Sequence, residues 1–236
     1  MGSPWQEADR DRDEGLRHAV RIPAFAMGRH EVTVAQYLAC VQAGACAAPA
    51  WQADRQLFSA LGASVEHARH PIIGISWQQA QSYVQWLSRI TGKNYYLPSE
   101  TQWEYAARAG STSRWSFGDT AAPAGQYAWF EDNSGAALHP VGGLRPNAWG
   151  LHDMHGSVWE WVQDCYEVWN YYDHFDPRYG KAPHDHKAWQ GGVCNNRVAR
   201  GGSWNDGVAR LRSASRYYNS PLHATSVVGF RVARAL

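Results

Sequence analysis

The sequence has no apolar run approaching the roughly 18 residues a membrane-spanning helix needs, and its opening Met-Gly-Ser-Pro-Trp-Gln-Glu-Ala-Asp-Arg passes straight into charge. No targeting or membrane-inserting segment is expected within the chain as given, and its compartment is left open. Charge is scarce and balanced: 18% of residues are charged, and 22 Lys and Arg stand against 21 Asp and Glu for a formal net charge of +1. Bulk electrostatics therefore offer no hold on nucleic acid or an acidic membrane, and neither is expected as a partner. Cysteine is equally sparse. Cys40, Cys46, Cys165 and Cys194 include no Cys-x-x-Cys, which makes tetrahedral zinc a poor reading. Disulfides joining 40 with 46 and 165 with 194, or buried free thiols, both remain open. No linker, low-complexity tract or tandem repeat breaks the chain, so residues 1–236 read as one domain.

What the sequence does have is rings and turns: 13 Trp and 12 Tyr beside 22 Gly and 11 Pro. This composition predicts a core of large aromatics and few long helices. Three segments carry a hydroxyl N-cap followed three residues later by Gln: Thr33 with Gln36, Ser76 with Gln79, and Ser99 with Gln102. They predict helices over Val34 to about Ala43, Trp77 to about Thr91 with a stripe of Ala80, Tyr83, Val84, Leu87 and Ile90, and about Glu100 to Ala109, stopping at Gly44, Gly92 and Gly110. Beyond Gly110 the apolar stretches are short, and strands are expected at Arg197–Arg200 and Gly229–Val232.

Longer blocks carry a resemblance. These are His-Glu-Val-Thr-Val-Ala-Gln-Tyr over 30–37, Tyr-Leu-Pro-Ser-Glu-Thr-Gln-Trp-Glu-Tyr-Ala-Ala-Arg-Ala-Gly over 96–110, and Pro-Asn-Ala-Trp-Gly-Leu-His-Asp-Met-His-Gly-Ser-Val-Trp-Glu-Trp over 146–161. Arg-Val-Ala-Arg-Gly-Gly-Ser-Trp-Asn over 197–205 and Gly-Phe-Arg-Val-Ala-Arg over 229–234 complete the series. In this order, over nearly the whole chain, they resemble the formylglycine-generating enzyme, or sulfatase-modifying factor, family. The resemblance implies the formylglycine-generating-enzyme type of C-type lectin fold: one α+β domain of short helices and strands with much irregular structure. A strand ordinarily precedes the part matching Met1, so the chain is expected to begin slightly inside the domain.

The enzyme heading that family uses a cysteine pair after Gly-Gly-Ser to hold copper and activate oxygen. The matching places here hold Asp206 and Leu211, and no Cys follows Cys194. Neither residue supplies the soft sulfur that copper(I) wants, so no copper and no formylglycine synthesis are expected. His152 with His155 and His184 with His186 lie in separate loops and are read as surface or packing residues.

A second branch resembles the C-terminal stretch better: the variable proteins of diversity-generating retroelements, in which adenine-directed mutagenesis rewrites AAC-type codons. Such codons never yield Lys, Glu, Gln, Met or Trp. None of these five occurs from Asn205 to Val228, which this composition would produce in roughly one window in a hundred. The resemblance implies a non-enzymatic, ligand-binding protein. Its diversified face would comprise Asp206, Gly207, Val208, Arg210, Ser215, Tyr217, Tyr218, Asn219, Ser220, Leu222, His223, Thr225, Ser226 and Val227, all exposed together above buried Trp204, Leu211, Ala214 and Phe230. Tyr, Asn and Ser suit a paratope, although any surface loop can hold them. The ligand would be a protein or cell-surface molecule. A family enzyme or accessory factor with other chemistry, and a structural interaction module, are the alternatives. Arg200, Arg212, Arg216 and Arg231 read as buried anchors for carboxylates or carbonyls. Finally, the family implies a structural calcium, with Asp153 and Glu160 as carboxylate ligands and Gly156 and Val158 as carbonyl ligands. A second calcium site would draw on residues 126–140 through Asn133.

Overall fold

The structure, a computed structural model, describes residues 1–15, 17–166, 185–191 and 194–236. Four helices lie in the first half: α1 (Val34–Gln42), α2 (Ala50–Ala53), α3 (Trp77–Thr91) and α4 (Glu100–Arg108). The capping boxes form as their residue types predict. Thr33, Ser76 and Ser99 each accept the backbone N–H of the Gln three residues on, while that Gln accepts the cap's own N–H. Each box satisfies two donors that a helix start would otherwise leave bare. Helix α4 ends one residue before the sequence suggests, because Ala109 itself turns left-handed at φ 46°. Ala80, Tyr83 and Val84 of α3 are buried as expected, but Ile90 is 57% exposed, since the last turn runs past the core.

The strands are β1 (Phe25–Met27), β2 (Tyr95–Tyr96), β3 (Trp159–Cys165), β4 (Arg197–Arg200), β5 (Arg216–Asn219), β6 (Val228–Gly229) and β7 (Ala233–Ala235). They form an antiparallel sheet in the order β1-β7-β2 and a mixed sheet in the order β5-β4-β3-β6, with β6 parallel to β3. The strand expected at Gly229–Val232 is therefore divided. Gly229 ends β6 where a Cβ would stand 2.5 Å from the carbonyl oxygen of Ile72, and the chain then crosses to the other sheet as β7.

The mixed sheet is buried on both faces, and strand alternation sorts its residues. One face carries Trp159, Trp161, Ala199 and Tyr217 into the larger core, with Tyr37, Tyr83 and Phe230. The other turns Val162 and Val198 toward Trp103, Ala106 and Ala107 of α4. Glu160, Arg200 and Arg216 stand in register across that second face. There Arg216 takes Glu100 through two bonds of 2.6 and 2.9 Å, and Arg200 bonds Glu104 as well as three main-chain carbonyls. A fourth cation, Arg212, is held by Glu7 and Glu14 of the N-terminal segment. All four arginines predicted as anchors are buried. Both disulfides, Cys40–Cys46 and Cys165–Cys194, are formed.

Candidate functional site

After β4, Gly201 and Gly202 both take positive φ (108° and 81°) and turn the chain beneath the C-terminal loops. At Gly202 a Cβ would lie 2.3 Å from Leu211 Cδ2, so only glycine lets Leu211 seat there. Leu211 is fully buried among Trp115, Phe130 and Ala128. Asp206, the other residue at a copper-cysteine position, is committed through one oxygen. Its Oδ2 accepts Trp159 Nε1 at 2.9 Å, Ser203 N–H at 3.0 Å and the Ser203 hydroxyl. The pair consists of a saturated carboxylate and a core leucine.

Around Asp206 lies an aromatic and cationic face. Tyr217 stacks on Trp159 with centroids 5.3 Å apart and planes 25° apart. The Arg210 guanidinium lies 5.7 Å from the Trp159 ring and pairs with Asp11 at 2.7 Å. Trp204, Leu211, Ala214 and Phe230 are buried beneath, as expected.

The single exposed face is corrected in two respects. Ser215 is fully buried and its carbonyl accepts Arg200, because it lies where β5 enters the sheet. Tyr217 and Tyr218, adjacent on β5, point to opposite sides of the sheet: Tyr217 to Trp159, and Tyr218 to Tyr166 at 4.0 Å. Tyr218 is 48% and Leu222 67% exposed, and His223 is exposed too. Asp206, Gly207, Val208, Arg210, Tyr217, Asn219, Ser220, Thr225, Ser226 and Val227 are half-buried. Several are tethered through main-chain groups: the carbonyls of Thr225, Ser226 and Val227 accept Gly74 N–H, Trp204 Nε1 and Trp159 N–H.

The calcium ligands do not fit a cation as the sequence suggests. Both Glu160 oxygens face Arg231 at 2.6 Å, and Oε2 also accepts Trp103 Nε1; the guanidinium already supplies the countercharge. Asp153 Oδ2 accepts Gly142 N–H at 2.7 Å. Gly156, at φ 79°, lies so close to the Trp129 carbonyl that a Cβ would be 2.2 Å from its oxygen, and Val158 is buried. Asn133 spends its amide on Phe130 N–H and the Ala128 carbonyl. Among the described residues no three His, Cys, Asp or Glu side chains form a metal-holding group.

The histidines pack. His155 is buried between the Leu211 carbonyl and Ser116, and burial pushes its pKa down to about 4, against the pull of the carbonyl. His152 bonds the Leu144 carbonyl; His184 lies outside the described residues. The sequence reading missed Glu31, which is fully buried with no hydrogen-bond partner for either oxygen among the described residues. Burial, then the neighbouring Asp153, raise its pKa well above the ordinary carboxylate value; Arg231 opposes them and Glu160 adds to them. The signal was a lone acid ahead of the apolar Val-Thr-Val of the 30–37 block.

The chain matches the sulfatase-modifying factor enzyme 1-like domain over residues 1–236. It is 34% identical over 179 residues to the formylglycine-generating enzyme of Streptomyces coelicolor, covering 70% of this chain and 52% of that protein. It is 29% identical over 235 residues to serine/threonine-protein kinase pkn1 of Chlamydia pneumoniae, covering 94% of this chain and 35% of that protein. The chain thus spans about a third to a half of these curated relatives. Among solved structures, PvdO from Pseudomonas aeruginosa superposes with a TM-score of 0.83 at 31% identity, over 100% of this chain and 90% of that one. Treponema denticola variable protein 1 superposes with a TM-score of 0.71 at 25% identity, over 94% and 88%. No helix among the described residues is long and apolar enough to cross a membrane.

Proposed function

The chain belongs to the sulfatase-modifying factor enzyme 1-like family, and from that membership we propose that it is a non-enzymatic binding protein that presents its C-terminal loops to a protein or cell-surface ligand. One observation carries this reading: the two positions that would bear copper thiolates hold a carboxylate saturated by Trp159 and Ser203 and a leucine sealed in the core. Neither can bind a soft metal or become a nucleophile. What remains at the surface is ring area and small polar groups, the materials of adaptable recognition. With copper and a cysteine-containing peptide, the purified protein is expected to consume no oxygen; copper-dependent uptake would overturn the reading.

Diversification, within this proposal, is confined to side chains that leave the scaffold intact: Tyr218, Asn219, Ser220, Leu222 and His223. Ser215 and Asp206 are poor places for variation, since one is buried and the other is a hydrogen-bond hub. The expected signature is a near-copy of the 3′ coding segment beside a reverse-transcriptase gene, differing only where the copy carries adenine. A complete genome without that repeat removes the diversification and leaves a fixed binding surface.

A second reading, a family factor with chemistry other than formylglycine synthesis, is favoured by the likeness to PvdO, which covers the whole chain at a higher TM-score than the variable protein. Sequencing the window from independent isolates separates the two. Variation at Tyr218, Leu222 and His223 supports recognition of changing ligands, and invariance supports a dedicated factor.

A further inference from the structure

On a part of the surface that shares no residue with the C-terminal window, an open groove of about 620 Å³ runs along β1. One wall is the consecutive stretch 22–27, which includes β1; the other comes from α4 and the loop ahead of β3. Tyr105 and Trp149, each 48% exposed, meet edge to face across 4.8 Å, and Phe25 lies 6.5 Å from Tyr105. Exposed rings gathered in one concavity mark a binding surface more strongly than scattered ones do. The groove's lining includes one charged side chain, Arg29, which is exposed and has no ion-pair partner among the described residues. β1 is the edge of its sheet, paired with β7 on one side.

The polar character of this lining decides what fits. Apart from the Arg29 guanidinium and the Tyr105 hydroxyl, the lining side chains are apolar, so the remaining polar groups are the main-chain N–H and C=O of 22–27. A bare acyl chain would cover those groups without bonding them, at a desolvation cost. An extended peptide would bond them while setting its alternate side chains against the rings. We propose that this groove binds an extended peptide segment paired along β1, with apolar side chains on Tyr105 and Trp149 and a carboxylate on Arg29.

The test is fluorescence anisotropy with a labelled hexapeptide pool that alternates randomised apolar residues with threonine and ends in a free carboxylate. Saturable binding is expected, weakened at least about tenfold by Trp149→Ala, by Arg29→Ala and by amidating the peptide terminus, and abolished by N-methylating its main chain. Because Trp149 and Arg29 are exposed, both variants should melt where the parent does, which separates lost binding from lost folding. Three outcomes overturn the proposal: no saturable binding up to about 1 mM, binding indifferent to Arg29→Ala, or an N-methylated pool that binds as well as the parent. Dodecanoate binding more tightly than the pool, together with that indifference to methylation, would assign the groove to acyl carboxylates instead.

Discussion

Asp206 holds the indole of Trp159 through an Oδ2 to Nε1 hydrogen bond of 2.9 Å, and the same oxygen accepts two donors from Ser203. One carboxylate thus ties the turn after Gly202 to the first residue of β3. Asp206→Ala would leave a buried indole N–H and the Ser203 donors unsatisfied, and is expected to cost about 2–4 kcal/mol in denaturant unfolding, from about 1–3 for each unsatisfied buried group. A loss below about 0.5 kcal/mol would show that Asp206 is an ordinary loop residue.

The two neighbouring tyrosines should behave differently. Trp159→Ala removes a buried ring and should cost about 3–5 kcal/mol. Tyr217→Ala forfeits the stack on that ring and should cost about 1–2 kcal/mol, while Tyr218→Ala should stay near about 0.5 kcal/mol and act on ligand binding. Equal losses at Trp159 and Tyr218 would make the exposed loop part of the core.

Glu31 predicts a pH dependence of definite sign. Its pKa is raised by burial and then by Asp153, with Glu160 adding and Arg231 opposing, so the folded state holds a proton that the unfolded state releases. Its stabilising contribution is complete below the ordinary carboxylate pKa and is lost as pH rises toward the folded-state value. Glu31→Gln should therefore raise stability at about pH 8 relative to the parent and change little at about pH 4. Urea melts at both pH values check it, and a destabilised variant at the higher pH would show that Glu31 is charged and paired.

Arg231 supplies the charge that a calcium ion was expected to supply. Arg231→Ala would strand the Glu160 carboxylate in the core and should cost about 3–5 kcal/mol. Calcium or a chelator should leave the melting temperature of the parent unchanged; a clear chelator-induced drop would restore the metal site.

The disulfides close loops of unequal length, 6 and 29 residues apart. On the chain-entropy account, Cys165→Ala with Cys194→Ala should cost about 3–4 kcal/mol, and Cys40→Ala with Cys46→Ala about 2 kcal/mol. Reversed magnitudes would mean that packing around Cys40 and Cys46 outweighs loop closure.

By itself the sequence determined what is decided within a few residues. Thr33, Ser76 and Ser99 announce their helices because the donor and the Gln acceptor lie one turn apart. The anchoring arginines, the buried Leu211 and Phe230, and the missing copper thiolates were legible in the same way, from residue type at a matched position. Tertiary structure decided everything that depends on which distant group arrives. Tyr217 and Tyr218 part company only once β5 takes its register on β4. Gly229–Val232 divides because two sheets compete for it. Glu160 meets Arg231 across 71 residues, and Arg212 meets Glu14 across 198. The groove beside β1 needs Phe25, Tyr105 and Trp149 brought together from three separate parts of the chain. A carboxylate in a sequence looks the same whether its partner is to be a metal, an arginine or a proton; the fold makes that choice by fixing which charge it buries alongside.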